Sequence, residues 1–132
     1  MSGKEILVDT NIISYLLDGS DTLEEVLQGK DVYLSFITEL ELIVFKHRTL
    51  EEEKQIIELL GDCSIISMTS LIKDKYIQVR KKHSLKLADA IIAATALAFN
   101  MPLITADKQF KVVDKLKLIT YQHSLQLTNR KK

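Results

Sequence analysis

The chain alternates short apolar runs with longer segments in which apolar residues recur every three or four positions. Short runs rich in branched side chains are typical of buried strands, and the longer spacing is typical of amphipathic helices. This pattern predicts five strands, at residues 5–8, 32–36, 63–66, 102–105 and 118–121. It predicts helices at residues 11–17, around 23–27, and at 39–47, 51–60, 70–82 and 85–99, with a short basic helix before the last strand.

Strands separated by helices in this way indicate an α/β fold. We expect three layers, α/β/α, with a central parallel sheet of about five strands. Because right-handed crossovers keep such strands pointing the same way, their carboxyl ends share one edge of the sheet. The chain shows no linker or repeat, so we expect one domain over residues 1–132, with 123–132 as a flexible basic tail.

Composition and the N-terminus narrow the class of protein. A hydrophobic content of 46% with 27% charged residues is ordinary for a globular domain and excludes a disordered chain. The single cysteine, Cys63, excludes an internal disulfide and fits a reducing compartment. The first apolar stretch, residues 6–8, is too short for a signal peptide, and no later stretch is long enough to span a bilayer. These features predict a soluble cytoplasmic protein without a membrane anchor.

Charge is balanced overall, with 18 basic and 18 acidic residues, but it is unevenly distributed. Residues 1–66 hold 5 Lys or Arg and 14 Asp or Glu, whereas residues 67–132 hold 13 and 4. Such asymmetry is typical either of contact with nucleic acid or of an acidic site that needs cations. It also fits two solvated faces that pair with each other. The location of the acids decides between these interpretations.

Three acids lie just beyond predicted strands, and each also has a simple structural explanation. Asp9 ends the first strand and could cap the next helix. Glu41 lies in the helix after the second strand, where Thr38-x-x-Glu41 has the spacing of a capping box. Asp107 follows the fourth strand and could cap the helix that begins near Lys108.

Asp89 is harder to explain by local structure. It lies within residues 85–99, a helix that is apolar nearly all round and therefore predicted to be buried. A buried carboxylate is costly unless something pairs with it, and Lys86, three residues earlier, is the nearest basic neighbour. Either Lys86 neutralises Asp89 locally or Asp89 reaches the carboxyl edge of the sheet.

Together, the four acids predict a cation site at that edge of the sheet. Two carboxylates about 5 Å apart repel by roughly 3 kcal/mol at an effective dielectric of about 20, so such a cluster is expected mainly where cations bind. Oxygen ligands without clustered His or Cys favour Mg²⁺ or Mn²⁺ over zinc.

Four motifs in chain order carry a resemblance to a known family. ILVDTN, SFITELEL, LKLADAIIAATAL and LITADKQF together resemble the PIN domain, most closely the VapC-type toxins of type II toxin–antitoxin systems. The resemblance covers nearly the whole chain. It implies an endoribonuclease dependent on one or two Mg²⁺ or Mn²⁺ ions, with an acidic site formed by Asp9, Glu41, Asp89 and Asp107.

The resemblance also implies roles around that site. Asn11 and Thr105 match polar residues beside the acids, and the PIN toxins form homodimers that an antitoxin protein holds inactive. Glu39 is excluded as the second acid, because it lies roughly 200° from Glu41 on a helix.

Metal-ion chemistry then suggests how RNA would be cleaved. Ions held by the carboxylates would activate a water for attack on a phosphodiester and neutralise charge on the leaving oxygen. The candidate RNA phosphate contacts are basic residues that flank the acids, namely Arg80, Lys81, Lys82, Lys108 and Lys111.

Two other enzyme classes have an Asp at the end of a first parallel strand, but this chain lacks the second acid that each requires. A haloacid-dehalogenase-type phosphatase needs an Asp two positions after Asp9, where this chain has Asn11. A response-regulator receiver needs an acid after the third strand, where this chain has Ser67, Met68 and Thr69. A housekeeping RNA-processing PIN nuclease and a PIN-like binding module without catalysis stay open. The RNA target, the antitoxin and the number of ions are not readable from the sequence.

Overall fold

A five-stranded, all-parallel sheet forms the centre of the computed structural model, which describes residues 3–44 and 49–122. The strands are β1 (Glu5–Val8), β2 (Asp31–Ser35), β3 (Ser64–Ile66), β4 (Leu103–Thr105) and β5 (Leu118–Thr120), in the order β3-β2-β1-β4-β5. The α-helices are α1 (Thr10–Leu17), α2 (Asp21–Leu27), α3 (Phe36–Val44), α4 (Leu50–Asp62), α5 (Ser70–Lys82) and α6 (Leu87–Ala98). A 3₁₀ helix, Lys108–Val112, precedes β5.

Alternating side chains of the strands face two separate hydrophobic cores. Ile6 and Val8 of β1 belong to the core that packs against α1 to α4, whereas Leu7 between them belongs to the core that packs against α5 and α6. The same alternation separates Ile104 from Leu103 in β4. Because successive strand residues point to opposite faces, both faces of the sheet are covered, which confirms the predicted α/β/α layers.

The chain changes direction across the sheet between β1 and β4. From β1 it proceeds to β2 and β3 on one side, and then returns through α5 and α6 to β4 on the other side of β1. In open parallel sheets, ligands bind at such a switch point, outside the carboxyl ends of the two strands. Asp9 directly follows β1, and Asp107 lies two residues beyond β4. The topology therefore places both acids at this switch point.

Two predicted elements match the structure residue for residue, and most others differ by one to three residues at an end. β1 and α5 are as predicted. The largest differences concern α3, where the predicted strand at 32–36 ends at Ser35 and the helix begins at Phe36 instead of residue 39. The Ser35 hydroxyl accepts the Ile37 N–H and so supports an earlier turn into the helix.

Because α3 begins at Phe36, Thr38 does not occupy the N-cap position predicted from the sequence. Thr38 is a buried residue inside α3, so Thr38 and Glu41 do not form a capping box. A capping box does occur at the start of α4, where Thr49 and Glu52 satisfy each other's backbone N–H groups. The helix predicted at residues 51–60 is also longer in the structure, since α4 continues through Gly61 and Asp62.

Some predictions concern parts of the chain that the structure leaves undescribed. The basic tail at 123–132 and the last residues of the helix predicted at 39–47 lie outside the described residues. Among the helices within 3–44 and 49–122, none has the length and apolar character needed to cross a membrane.

Candidate active site

Asp9 is a buried carboxylate held by donors from two elements. It caps α1, where its Oδ1 accepts the Thr10 N–H at 2.8 Å, so the expected capping role is present. Its Oδ2 accepts the hydroxyl of Thr105, at the end of β4, at 2.6 Å. Thr105 in turn accepts the Asp107 N–H at 3.0 Å. Asp9 is only 4% exposed and Thr105 is fully buried, so this contact joins two strand ends beneath the surface.

Glu41 lies one turn into α3 and turns toward the start of α1. Its Oε1 accepts the Thr10 hydroxyl at 2.7 Å. The same hydroxyl lies 3.0 Å from that of Thr38, which is completely buried. Glu41 itself is exposed, which leaves its carboxylate accessible to a ligand.

Asp107 and Asp89 complete the acidic set from the other side of the switch point. Asp107 caps the 3₁₀ helix through a 2.9 Å bond from the Gln109 N–H to its Oδ1. Asp89 lies in the first turn of α6 and is half-buried. Across residues 3–44 and 49–122, no hydrogen bond or salt bridge reaches the Asp89 carboxylate, and its local pairing with Lys86 is therefore not formed.

The pKa values of Asp9 and Asp89 respond to the charges of neighbouring acids. The pKa of Asp9 is raised to about 6, chiefly by burial and also by the charges of Asp89 and Asp107, despite the opposing hydrogen bonds from Thr105 and Thr10. Burial also raises the pKa of Asp89, followed by the charges of Asp107 and Glu41, while Lys86 lowers it. Repulsion among the acids thus spans both sides of the switch point.

The donor chemistry of this edge suits a hard divalent cation. All four candidate groups are carboxylates, and Asp89 retains both oxygens for a ligand. In the described parts of the chain, however, no three His, Cys, Asp or Glu side chains are grouped closely enough to form a ready set of metal ligands. The four acids therefore supply negative charge that would attract a cation. Among the described residues, however, no three of them are grouped around a common point.

A cleft of about 360 Å³ opens beside Glu41, between α1, α3 and α4. Asn11 and Ser14 of α1 line it, with Leu42 and Ile56 on its apolar side. Asn11 is exposed, and among the described residues it forms no hydrogen bond to the acids. The residue beside it, Thr10, makes the contacts instead. Sequence reasoning missed Thr10 and Thr38, since a side chain 28 positions away gives no local signal.

The candidate RNA-binding residues form a scattered basic surface. All five are exposed (Arg80, Lys81, Lys82, Lys108 and Lys111). Lys82 pairs with Asp114 at 2.9 Å, and the Arg80 guanidinium donates to the Tyr76 hydroxyl and lies 5.8 Å from the centre of its ring. These two side chains therefore have partners within the fold.

Comparison with solved structures places the fold among toxin–antitoxin proteins. A toxin–antitoxin complex from Klebsiella pneumoniae is 30% identical, with a TM-score of 0.74 over 87% of this chain and 96% of that chain. VapBC-1 from nontypeable Haemophilus influenzae is 28% identical, with a TM-score of 0.73 over 88% and 97%. VapBC2 from Rickettsia felis, bound to a promoter DNA fragment, is 24% identical and supports the fold alone, with a TM-score of 0.78 over 89% and 99%.

The two comparisons with sequences differ in outcome. A search of curated proteins finds no significant match. The profile of the PIN domain, in contrast, matches residues 6–116, which span the sheet from β1 to the segment before β5 and include all four acids. The chain belongs to the PIN domain family.

Proposed function

We propose that this protein is a Mg²⁺- or Mn²⁺-dependent endoribonuclease that acts in the cytoplasm as the toxin of a type II toxin–antitoxin pair. The observation that carries this proposal is the convergence of the acids at the switch point of the sheet. Asp89 accepts no hydrogen bond from a described residue, yet it lies close enough to Asp107 and Glu41 for both charges to raise its pKa. A fold gains nothing from assembling such carboxylates unless a cation binds there.

Membership of the PIN family adds support, because nucleases are common in that family. The 30% identical neighbour is a toxin–antitoxin complex, which favours the toxin over a housekeeping nuclease. All four acids of the family's motif are present in this chain, which favours catalysis over a binding module.

In the proposed mechanism, Asp9, Glu41, Asp89 and Asp107 would hold one or two metal ions. When bound, the ions supply positive charge that lowers the pKa of water and neutralises charge on the cleaved phosphodiester. Thr105 fixes the orientation of Asp9 through its 2.6 Å hydrogen bond, so the Asp9 carboxylate is held in place before a cation binds. Lys81, Lys108 and Lys111 give the RNA backbone an exposed basic margin.

An antitoxin protein is the proposed partner. A segment of it that carries Arg would pair with the carboxylates where the metal would bind, because guanidinium groups form strong bidentate contacts with carboxylates. Asp89 is the best acceptor for such a contact, since its oxygens have no donor within the described structure.

A homodimer is the proposed assembly of the free toxin. We expect light scattering to give a mass near twice the 15.0 kDa of the chain. A strictly monomeric species at high micromolar concentration would count against the dimer without affecting the proposed chemistry.

The activity is tested with purified protein and a panel of structured RNAs. We expect cleavage with Mn²⁺ or Mg²⁺, loss of cleavage with EDTA, and recovery when the metal is added back. Mapping the RNA ends after expression in cells would then identify the target. Cleavage that persists in EDTA would contradict metal dependence, and an absence of cleavage together with RNA binding would favour a binding module.

A further inference from the structure

Thr10 contacts two of the candidate acids at once. Its N–H donates to Asp9 Oδ1 at 2.8 Å, and its hydroxyl lies 2.7 Å from Glu41 Oε1. Asp9 follows β1, whereas Glu41 belongs to α3, which follows β2. Thr10 therefore links two separate elements of the site through a single residue.

The Thr10 hydroxyl is the donor in both of its side-chain contacts. Its two acceptors are Glu41 Oε1 at 2.7 Å and Thr38 Oγ1 at 3.0 Å. An ionised carboxylate can only accept, and Glu41 is the closer of the two acceptors. The three side chains form a chain of contacts in which Thr10 lies between the buried Thr38 hydroxyl and the Glu41 carboxylate.

The two ends of this chain differ in burial. Thr38 is completely buried and lies three residues before Glu41, so both occupy the same face of α3. Glu41 is exposed and carries three rotatable bonds, which leaves its carboxylate many positions when nothing holds it. A bond at an exposed carboxylate adds little to folding. Its main effect is to select one position of the carboxylate.

Asp9 is fixed by a similar device. The Asp107 N–H donates to the Thr105 hydroxyl, which donates to Asp9 Oδ2. Thr105 and Thr10 thus hold two of the acids through hydroxyl donors, and Thr10 adds its N–H to Asp9. The relative position of Asp9 and Glu41 depends on Thr10 alone among these residues.

We propose that Thr10 is a positioning residue: supported by the buried Thr38 hydroxyl, it fixes the Glu41 carboxylate relative to Asp9. This role rests on the proposed nuclease function. Thr38 acts through Thr10, and the pair sets the geometry in which Glu41 meets a cation or substrate.

The first test compares cleavage by variants that keep or remove each hydroxyl. Thr10→Val and Thr38→Val remove the hydroxyl with little change of shape, whereas Thr10→Ser and Thr38→Ser retain it. We expect Thr10→Val to lower kcat by about 10–100-fold, the usual effect of losing a partner that orients a ligand, with little change of KM for RNA. Thr10→Ser should recover most of the loss. Adding Thr38→Val to Thr10→Val should lower kcat no further.

Thr95→Val is the matched control. The Thr95 hydroxyl is also buried, and it bonds to the Ile91 carbonyl within α6 rather than to Thr10 or Glu41. It should lower the melting temperature as much as Thr38→Val does, while kcat stays unchanged. Equal losses of kcat in Thr95→Val and Thr38→Val would overturn the positioning role, because both would then reflect general destabilisation.

A second test needs no activity and uses metal-free protein. If the hydroxyls form one chain, the losses of melting temperature in Thr10→Val and Thr38→Val share a bond, and the double variant should lose less than their sum. Strictly additive losses would overturn the chain. If the unaltered protein cleaves RNA and Thr10→Val matches it, the inference fails alone. If the unaltered protein neither cleaves RNA nor binds Mn²⁺, the proposed function fails, and the positioning role falls with it even if the coupling between the two hydroxyls is found.

Discussion

The end of β1 and the first turn of α6 each bring one carboxylate to the same edge of the sheet, but the protein treats the two differently. Asp9 is almost fully buried and accepts hydrogen bonds on both oxygens. Asp89 is half-buried and receives no hydrogen bond from a described residue. Burial nevertheless raises the pKa of both. Asp9 is thus fixed in place before any ligand arrives, whereas Asp89 is left free to respond to one.

The largest expected effect is on catalysis. Asp9→Asn and Asp89→Asn should each lower Mn²⁺-dependent RNA cleavage by more than the roughly 10–100-fold typical of losing an orienting partner, because a candidate ligand itself is lost. Both should also relieve growth arrest on expression. Glu39→Gln, on the same helix as Glu41, is the matched control and should do neither. If Glu39→Gln abolished cleavage while Glu41→Gln preserved it, the assignment of the second acid would be wrong.

Asp9, the buried acid, should make the free energy of unfolding depend on pH. The pKa of Asp9 is raised from 3.8 to about 6, so the folded state binds more protons than the unfolded state between these values. Its contribution to the free energy of unfolding is therefore intact below pH 4 and falls as pH rises to 6, by about 3 kcal/mol in total. Denaturant unfolding of the unaltered protein and Asp9→Asn at pH 4 and pH 7 measures this loss. A difference between the two proteins that did not change with pH would show that Asp9 titrates normally.

Asp89, the half-buried acid, should show a smaller effect on stability, and that effect should depend on metal. In metal-free protein, Asp89→Asn removes one repelling charge at nearly constant volume and should raise the melting temperature, by roughly 4 °C for each 1 kcal/mol of repulsion relieved. Mn²⁺ should stabilise the unaltered protein by about 2.7 kcal/mol at 100 times its dissociation constant. That stabilisation should shrink in Asp89→Asn. Destabilisation of the metal-free variant with an unchanged Mn²⁺ effect would make Asp89 a structural residue.

The smallest expected effect concerns the basic residues that we propose contact the RNA backbone. Lys111 is exposed, and Lys111→Ala should weaken RNA binding slightly and reduce the slope of log affinity against log salt by about 0.7 for a lost phosphate contact. Lys82 is already paired with Asp114, so Lys82→Ala should change the slope less. Equal slopes in the two variants would place the RNA elsewhere on the surface.

Local sequence predicted the elements of the fold better than the junctions between them. β1 and α5 were predicted residue for residue because period and flanking polar residues agree there. The start of α3 was misplaced because the apolar run through Phe36 and Ile37 fits a strand as well as a helix. The Ser35 hydroxyl accepts the Ile37 N–H and supports the helix, a contact that the hydrophobic pattern does not show.

The candidate site shows the same limit. The predicted parallel strands place Asp9 and Asp107 at one edge of the sheet, because parallel strands end together, and the structure has this arrangement. Thr10 and Thr38 lie 28 residues apart, and Thr105 lies 96 residues from Asp9, so these contacts exist only once the sheet has formed. Asn11 is predicted because it matches a polar residue of the family's motif, whereas the contact from Thr10 to Glu41 has no signal in the local sequence.

Calorimetric titration with Mn²⁺ tests most directly whether the acids at this edge form a cation site. The experiment uses metal-free samples of the unaltered protein, Asp89→Asn and Glu39→Gln at pH 7, where Asp9 is ionised because its pKa is about 6. The predicted result is saturable binding of one or two ions by the unaltered protein and by Glu39→Gln, with affinity lost or strongly reduced in Asp89→Asn. Equal affinity in all three proteins, or no binding by the unaltered protein, would contradict it.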